Sequence, residues 1–180
     1  MDFKLLKLNL KIGWLKLTGK LQKISDGNNF PSISIDSPHI LIVLPIDKQL
    51  IPKSMNCISS IVDLYKDRDA QFSFIINNKI ENKINFYNIR TLMLEIGKNG
   101  DINNSKKILD KIYFEKYDMV IDLNTEFYFD LAKFINQLNS NLKIGFKSIY
   151  SDYFYNIQID IGKDGIAENG FNKIQKILIS

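Results

Sequence analysis

The residues that could do chemistry lie where apolar runs end. In "KYDMVIDLNTEFYFDLAKFINQLNSNLKIGF", Lys116 to Phe146, one run closes on Asp122, Leu123 and Asn124 with Thr125 next, a helical pattern follows, and a second short run closes on Gly145 and Phe146. This is the pattern of a strand, helix, strand unit, and in open α/β sheets the carboxyl end of such a strand is where ligands usually sit. Asn124 and Thr125 can therefore face a ligand, or cap the following helix, with Glu126 suited to its positive amino end. Asp118 and Asp122 share a parity along the strand and could form a carboxylate pair for acid-base work, although a carboxylate at each strand end is more commonly a cap or an ion-pair partner.

Other reactive types are sparse. The chain has one cysteine, Cys57, and one histidine, His39, far apart in sequence. A thiol hydrolase needs thiolate, base and orienting group within hydrogen-bond reach, and a common zinc site needs several Cys or His ligands. Cys57 is accordingly expected to be a small apolar helix residue and His39 a strand-end residue, with no metal site. Gly162, Gly165 and Gly170 in "GKDGIAENG" have neither the phosphate-loop ending nor the dinucleotide spacing, so they are expected to make turns, and no cofactor is expected.

The elements that would position these residues follow from periodicity. "HILIVLP", His39 to Pro45, is a short continuous apolar run with β-branched members, the mark of a strand buried on both faces. Pro52 suits a first helical turn, and Met55, Ile58, Val62 and Tyr65 then recur at helical spacing up to the polar "KDRD" stretch. "AQFSFII" restores a strand pattern, "TLMLEIG" is a further candidate strand, and Ser105 can cap a helix with Ile108, Leu109, Ile112 and Tyr113 inward. After the "YDMVIDL" strand, Phe127, Tyr128, Leu131, Phe134, Ile135 and Leu138 mark a helix face, and Asn139 and Asn141 tolerate the left-handed conformation that ends helices. "LKIGF" and "YNIQIDIG" read as strands and "GFNKIQKILIS" as a closing helix. The expectation is a three-layer α/β domain with a mainly parallel, Rossmann-like sheet over residues 33–180 and no second domain. Tyr150, Tyr153, Phe154 and Tyr155 are a cluster that either covers the sheet or meets a partner, a choice that burial decides.

At 180 residues, 45% hydrophobic and 24% charged, the chain can bury a real core without disulfide or metal staples. Its charge of +4 is uneven: residues 1–24 hold six lysines against one acid, a net +5, so the remainder sums to −1. In that arm Phe3, Leu6, Leu10, Trp14, Leu17, Leu21 and Ile24 recur at spacings of three and four, while Leu6, Leu8, Leu10 and Ile12 also alternate like a strand; helix is expected. "SDGNNFPS", residues 25–32, is read as a linker. The arm is not a secretory signal, and no segment approaches the about 18 uninterrupted apolar residues of a membrane span, so a cytoplasmic protein is expected. Two roles stand for the arm. Lys4, Lys7, Lys11, Lys16, Lys20 and Lys23 could make a peripheral contact with the anionic inner membrane, or the arm could cover a flank of the domain with its lysine stems along apolar surface. Nucleic acid is not an expected partner, for want of interleaved aromatics and a recognition motif.

Tyr117, Asp118, Val120, Ile121, Asp122 and Leu123, followed by a helix and then Lys143, Ile144, Gly145 and Phe146, resemble the "YDxVIDL" strand and the "RxGF"-like strand of the heptosyltransferases of glycosyltransferase family 9. "ILIVLP", a helix and "AQFSFII" resemble that family's opening unit, so the likeness covers about residues 39–147 of its amino-terminal half. The chain is also similar to short bacterial heptosyltransferase-like proteins with a basic amino-terminal arm. The resemblance implies a GT-B amino-terminal-domain fold. It also implies that Asp47, in Ile46-Asp47, is the nearest counterpart of the acid thought to act as base after the first strand. The family's glycine before that acid is missing here, and Glu126, Phe127 and Tyr128 stand where the family has a glycine and a basic side chain for anionic acceptors. The family's donor nucleotide sugar is held mostly by a second domain. The expected function is a non-catalytic, heptosyltransferase-like binding or interaction module with its crevice at Asp47, Asn124 and Thr125, meeting a protein partner or a second copy. The alternatives are the acceptor-binding half of a split glycosyltransferase and a membrane-surface adaptor.

Overall fold

A computed structural model describes residues 3–21, 23–24, 36–83, 89–97 and 100–179; side chains are described from residue 6 onward, except residues 81–83. The expected linker at residues 25–32 lies outside them.

Among the described residues six strands form one sheet: β1 (His39–Val43), β2 (Gln71–Asn77), β3 (Arg90–Leu94), β4 (Tyr117–Asp122), β5 (Ser140–Phe146) and β6 (Ile157–Ile159). Their spatial order is β3-β2-β1-β4-β5-β6 and every pairing is parallel. Leu41 pairs with Val120 and Val43 with Asp122, which puts the two crossover units side by side. The order runs outward from the β1/β4 pair in both directions, so the chain's topological switch point lies there.

The continuous apolar runs follow from burial on both faces. Leu41, Val43, Ile75, Leu92 and Val120 enter one core, and Ile40, Ile42, Phe74, Ile76, Met119 and Ile121 enter the other. Helices α2 (Leu50–Leu64) and α5 (Ala167–Ile179) close the second core with Cys57, Ile58, Ile61, Phe171 and Ile174. The first is closed by α3 (Ser105–Lys111), by Leu131, Ala132, Phe134 and Ile135 of α4 (Phe129–Asn136), and by Ile12 of α1 (Phe3–Leu17).

Tertiary demand overrode several local signals. Asn104, not Ser105, is the residue before α3, and its side chain turns back to β3, accepting from Glu95 N at 2.9 Å and donating to Met93 O at 3.0 Å. Tyr113, expected inward, lies beyond the end of α3 and is exposed. Helix α4 starts at Phe129, so neither Asn124 nor Thr125 caps it, and it ends through Gln137 in a right-handed conformation without a left-handed asparagine.

The arm is helical and lies on the domain, but not by the face its periodicity suggested. Ile12 is buried and Leu8 and Leu15 pack beside it, while Leu6, Leu10, Trp14 and Leu17 are exposed. Gly19, at φ +66, ends the helix with Gly19 N on Lys16 O and Lys20 N on Leu15 O, the paired bonds of a Schellman close. Lys11 Nζ meets Asp130 at 2.9 Å and lies 4.3 Å above the Phe129 ring, Lys16 covers the Tyr153 ring at 4.2 Å, and Lys23 meets Asp152 at 3.0 Å. The Tyr150 hydroxyl donates to Asn9 Oδ1. Tyr150, Phe154 and Tyr155 are buried, with the Phe127 ring centroid 5.6 Å from that of Tyr150 and 5.7 Å from that of Phe154 in tilted contacts, so this cluster covers the sheet.

Candidate functional site at the topological switch point

The loops leaving β1 and β4 diverge at the switch point, the place where an α/β sheet opens a crevice. Here one side chain spans them. Asn124 Oδ1 accepts from Ile46 N at 2.7 Å, and its Nδ2 donates to Leu44 O at 3.2 Å and to Asp122 Oδ1 at 2.7 Å. Backbone bonds add to the tie: Leu123 N donates to Val43 O at 3.0 Å and Asn124 N to Asp122 Oδ1 at 3.0 Å. Asn124 is 5% exposed and Asp122 3%.

Asp122 is the hub. Its second oxygen accepts from the Tyr155 hydroxyl at 2.6 Å. Burial raises the carboxyl above the ordinary aspartate range, opposed by the hydrogen bonds from Tyr155 and Asn124, and burial together with the Asp122 charge holds the Tyr155 hydroxyl well above its own. The Tyr155 ring reaches this point by lying across Gly145 of β5, where an added Cβ would stand 2.5 Å from the ring. The glycine of "LKIGF" thus makes room for an aromatic ring, as a strand-interior glycine often does for a close approach. Sequence reasoning missed Tyr155 as part of this network; Gly145 was the signal.

Asp47 sits at the rim, one residue beyond the anchored Ile46. It is exposed, and its Oδ1 accepts from Gln49 N at 2.9 Å, a local turn that leads into α2. Thr125 is half-buried beside Asn124. Glu126 is exposed and accepts from the Tyr128 hydroxyl at 3.1 Å. Burial first, then the charges of Glu126, Asp47 and Asp122, push that hydroxyl up to about 12. Asp47, Asn124 and Thr125 are therefore brought together, but as an acidic rim over a filled floor. Lys48 stands next to Asp47 in the chain and is exposed.

The remaining candidates fall elsewhere. Asp118, at the other end of β4, accepts from His39 N at 2.9 Å and from Asn141 Nδ2 at 3.4 Å, so it forms no pair with Asp122. His39 is half-buried against the Tyr117 ring with Nε2 3.0 Å from Ser73 Oγ, and burial lowers its imidazole. Cys57 is buried, its thiol pushed up to about 12 by burial. Gly162 and Gly165 take positive φ in the turn before α5, as expected, whereas Gly170 makes no turn: it lies within α5, where its missing side chain lets the helix approach Phe146 and Ile161. Among the described residues no three His, Cys, Asp or Glu side chains are grouped to hold a metal, and no helix is long and apolar enough to cross a membrane.

No family model matches the sequence, and no curated protein does. Solved structures do match in fold. The glycosyl transferase family 9 structure from Veillonella parvula DSM 2008 superposes with a TM-score of 0.56 at 12% identity, over 83% of this chain and 44% of that one. E. coli heptosyltransferase WaaC with ADP gives 0.54 at 14% identity over 79% and 48%, and with ADP-2-deoxy-2-fluoro heptose 0.56 at 12% over 78% and 48%. The chain thus spans less than half the length of these glycosyltransferases, an extent consistent with their amino-terminal half, and shares with them the GT-B type of Rossmann-like fold.

Proposed function

We propose that this chain is a heptosyltransferase-like binding module that engages a protein partner or a second copy and does not itself transfer a sugar. The observation that carries the reading is the Asn124 bridge. A crevice that accepts a ligand must keep polar groups unpaired or water-filled, and here Asn124 and Asp122 satisfy one another and the backbone of both loops. The rim supports the same reading, because Asp47 and Glu126 are exposed there and their negative charge opposes an anionic ligand, with Lys48 adjoining Asp47. The surface that remains for contact is Asp47, Thr125, Glu126 and Tyr128.

The extent of the likeness supports one other reading, an acceptor-binding half that works with a separately encoded donor domain. The two separate in one titration series. An anionic acceptor sugar, alone and together with an ADP-sugar and a candidate donor-domain subunit, is titrated into the 15N-labelled chain. The amide signals of Ile46, Asn124 and Thr125 should stay unmoved up to millimolar ligand, and no sugar should be released or transferred. Saturable shifts at those amides, or turnover that Asp47→Asn abolishes, would sink the binding-module reading.

A further inference from the structure

Helix α1 is apolar on two opposite sides. At about 100° per residue, Leu8, Ile12 and Leu15 centre on one side, the side that packs into the core. Leu6, Leu10, Trp14 and Leu17 fall within about 80° of one another on the opposite side. These four are 37%, 67%, 57% and 89% exposed. Lys7 and Lys11 lie in one seam between the two faces and Lys16 in the other. This arrangement explains why the lysines look scattered on a one-faced projection. A helix that served only to cover the sheet would need the inner face alone.

The geometry points to the outer face of α1 as a docking surface for an anionic lipid bilayer, with Leu10, Trp14 and Leu17 entering the headgroup boundary and the arm's lysines meeting the phosphates. Charge selects this occupant. Between Phe3 and Ile24 there is no acidic residue and there are six lysines. Asp130 and Asp152 of the domain offset Lys11 and Lys23 and leave the helix positive. Lys7 is exposed, and Lys20 is exposed with its ammonium 5.2 Å from the Trp14 ring. Two copies joined through this face would bring like charges together, whereas an anionic lipid surface attracts each lysine and draws the apolar stripe in behind them. A tryptophan ring beside lysines has the amphipathic character suited to the interface. The inner face stays on the domain throughout, so docking needs no unfolding of the arm.

Trp14 is the chain's one tryptophan, so its fluorescence reports this face alone. The full chain is titrated with phosphatidylglycerol/phosphatidylcholine vesicles, with phosphatidylcholine vesicles as control. Emission should shift to the blue on the anionic vesicles only and return as salt rises, since the Debye length is about 8 Å at 0.15 M. The double variant Leu10→Glu, Leu17→Glu keeps the reporter, alters only exposed positions and should bind about tenfold more weakly or worse with an unchanged melting temperature. No shift on anionic vesicles, or undiminished binding by the double variant, overturns the proposal. So does emission already blue in free protein, whether a concentration-dependent dimer that the double variant dissolves or a segment of the same chain lying over Trp14 is the cause.

Discussion

Replacing Tyr155 by phenylalanine keeps the ring on Gly145 and removes only the hydroxyl 2.6 Å from Asp122. Because the acceptor is a buried carboxylate, the lost bond is worth about 1.5–3 kcal/mol where Asp122 is ionised and about 0.5–1.5 where it is protonated. The sign of the pH dependence follows. Asp122 is raised in the fold, so above the unfolded value of about 3.9 the folded state binds its proton more readily than the unfolded chain does. The associated stability is present at low pH and declines as pH rises through the folded value. Tyr155 and Asn124 limit that decline by favouring the charged form. Urea unfolding of wild type and Tyr155→Phe, followed from acid to alkaline pH, should show a stability gap that widens as Asp122 ionises. Asp122→Asn, which keeps an acceptor for Asn124 and a partner for Tyr155 but has no charge, should flatten the dependence. A gap that stays constant across the whole pH range in which the protein is folded, or never exceeds ~0.5 kcal/mol, would refute the placing of a buried carboxylate at the centre of this site.

Other consequences are as direct. Gly145→Ala sets a methyl 2.5 Å from the Tyr155 ring and should cost about 1–3 kcal/mol by overpacking, read as a fall in urea midpoint with unchanged slope. Lys143 is buried in β5 with its ammonium 2.9 Å from Asn136 O, and burial lowers it to about 8. The unfolded chain therefore holds that proton more tightly as pH rises above 8, so wild-type stability should climb between pH 7 and 9, and Lys143→Met should lack that increment. In α1, Ile12→Ala should cost about 2–5 kcal/mol and Leu10→Ala within about 0.5, a contrast in melting temperature that distinguishes the buried face from the exposed one.

Much of this fold was written locally. The runs from Ile40 to Leu44 and from Met119 to Leu123 are apolar at every position but Asp122, because both faces of the central strands are covered. Pro52 in the first turn of α2 and the left-handed Asp69 after the short 3-10 turn Lys66–Arg68 are where propensity and structure agree. What stayed hidden was long-range. Asn124 has the composition of a helix cap, but its amide satisfies Ile46 and Leu44, some 80 positions away. Asp122 and Tyr155 are likewise joined across β5 and the turn after it, a connection no periodicity encodes. In the arm, an inner stripe of three and an outer stripe of four give overlapping periods, and the more regular one proved to face solvent.

The same network bears on what a ligand would have to overcome. Opening the crevice means rotating Asn124 away, which breaks its bonds to Ile46 N, Leu44 O and Asp122. At about 1–1.5 kcal/mol each, these three come to roughly 3–4.5 kcal/mol, a loss of affinity on the order of 10²- to 10³-fold. A ligand could recover that by satisfying the same atoms, but it would have to donate to Asp122 and Leu44 O and accept from Ile46 N at once, which describes an amide better than a phosphate. Asn124→Ala removes the bridge without supplying that ligand. It should lower stability by about 2–4 kcal/mol and speed hydrogen exchange at the Ile46 amide before that of the Val43 and Val120 amides. If Ile46 instead exchanges no faster in the variant than in wild type, Asn124 does not hold the two loops together and the crevice is not closed by this side chain.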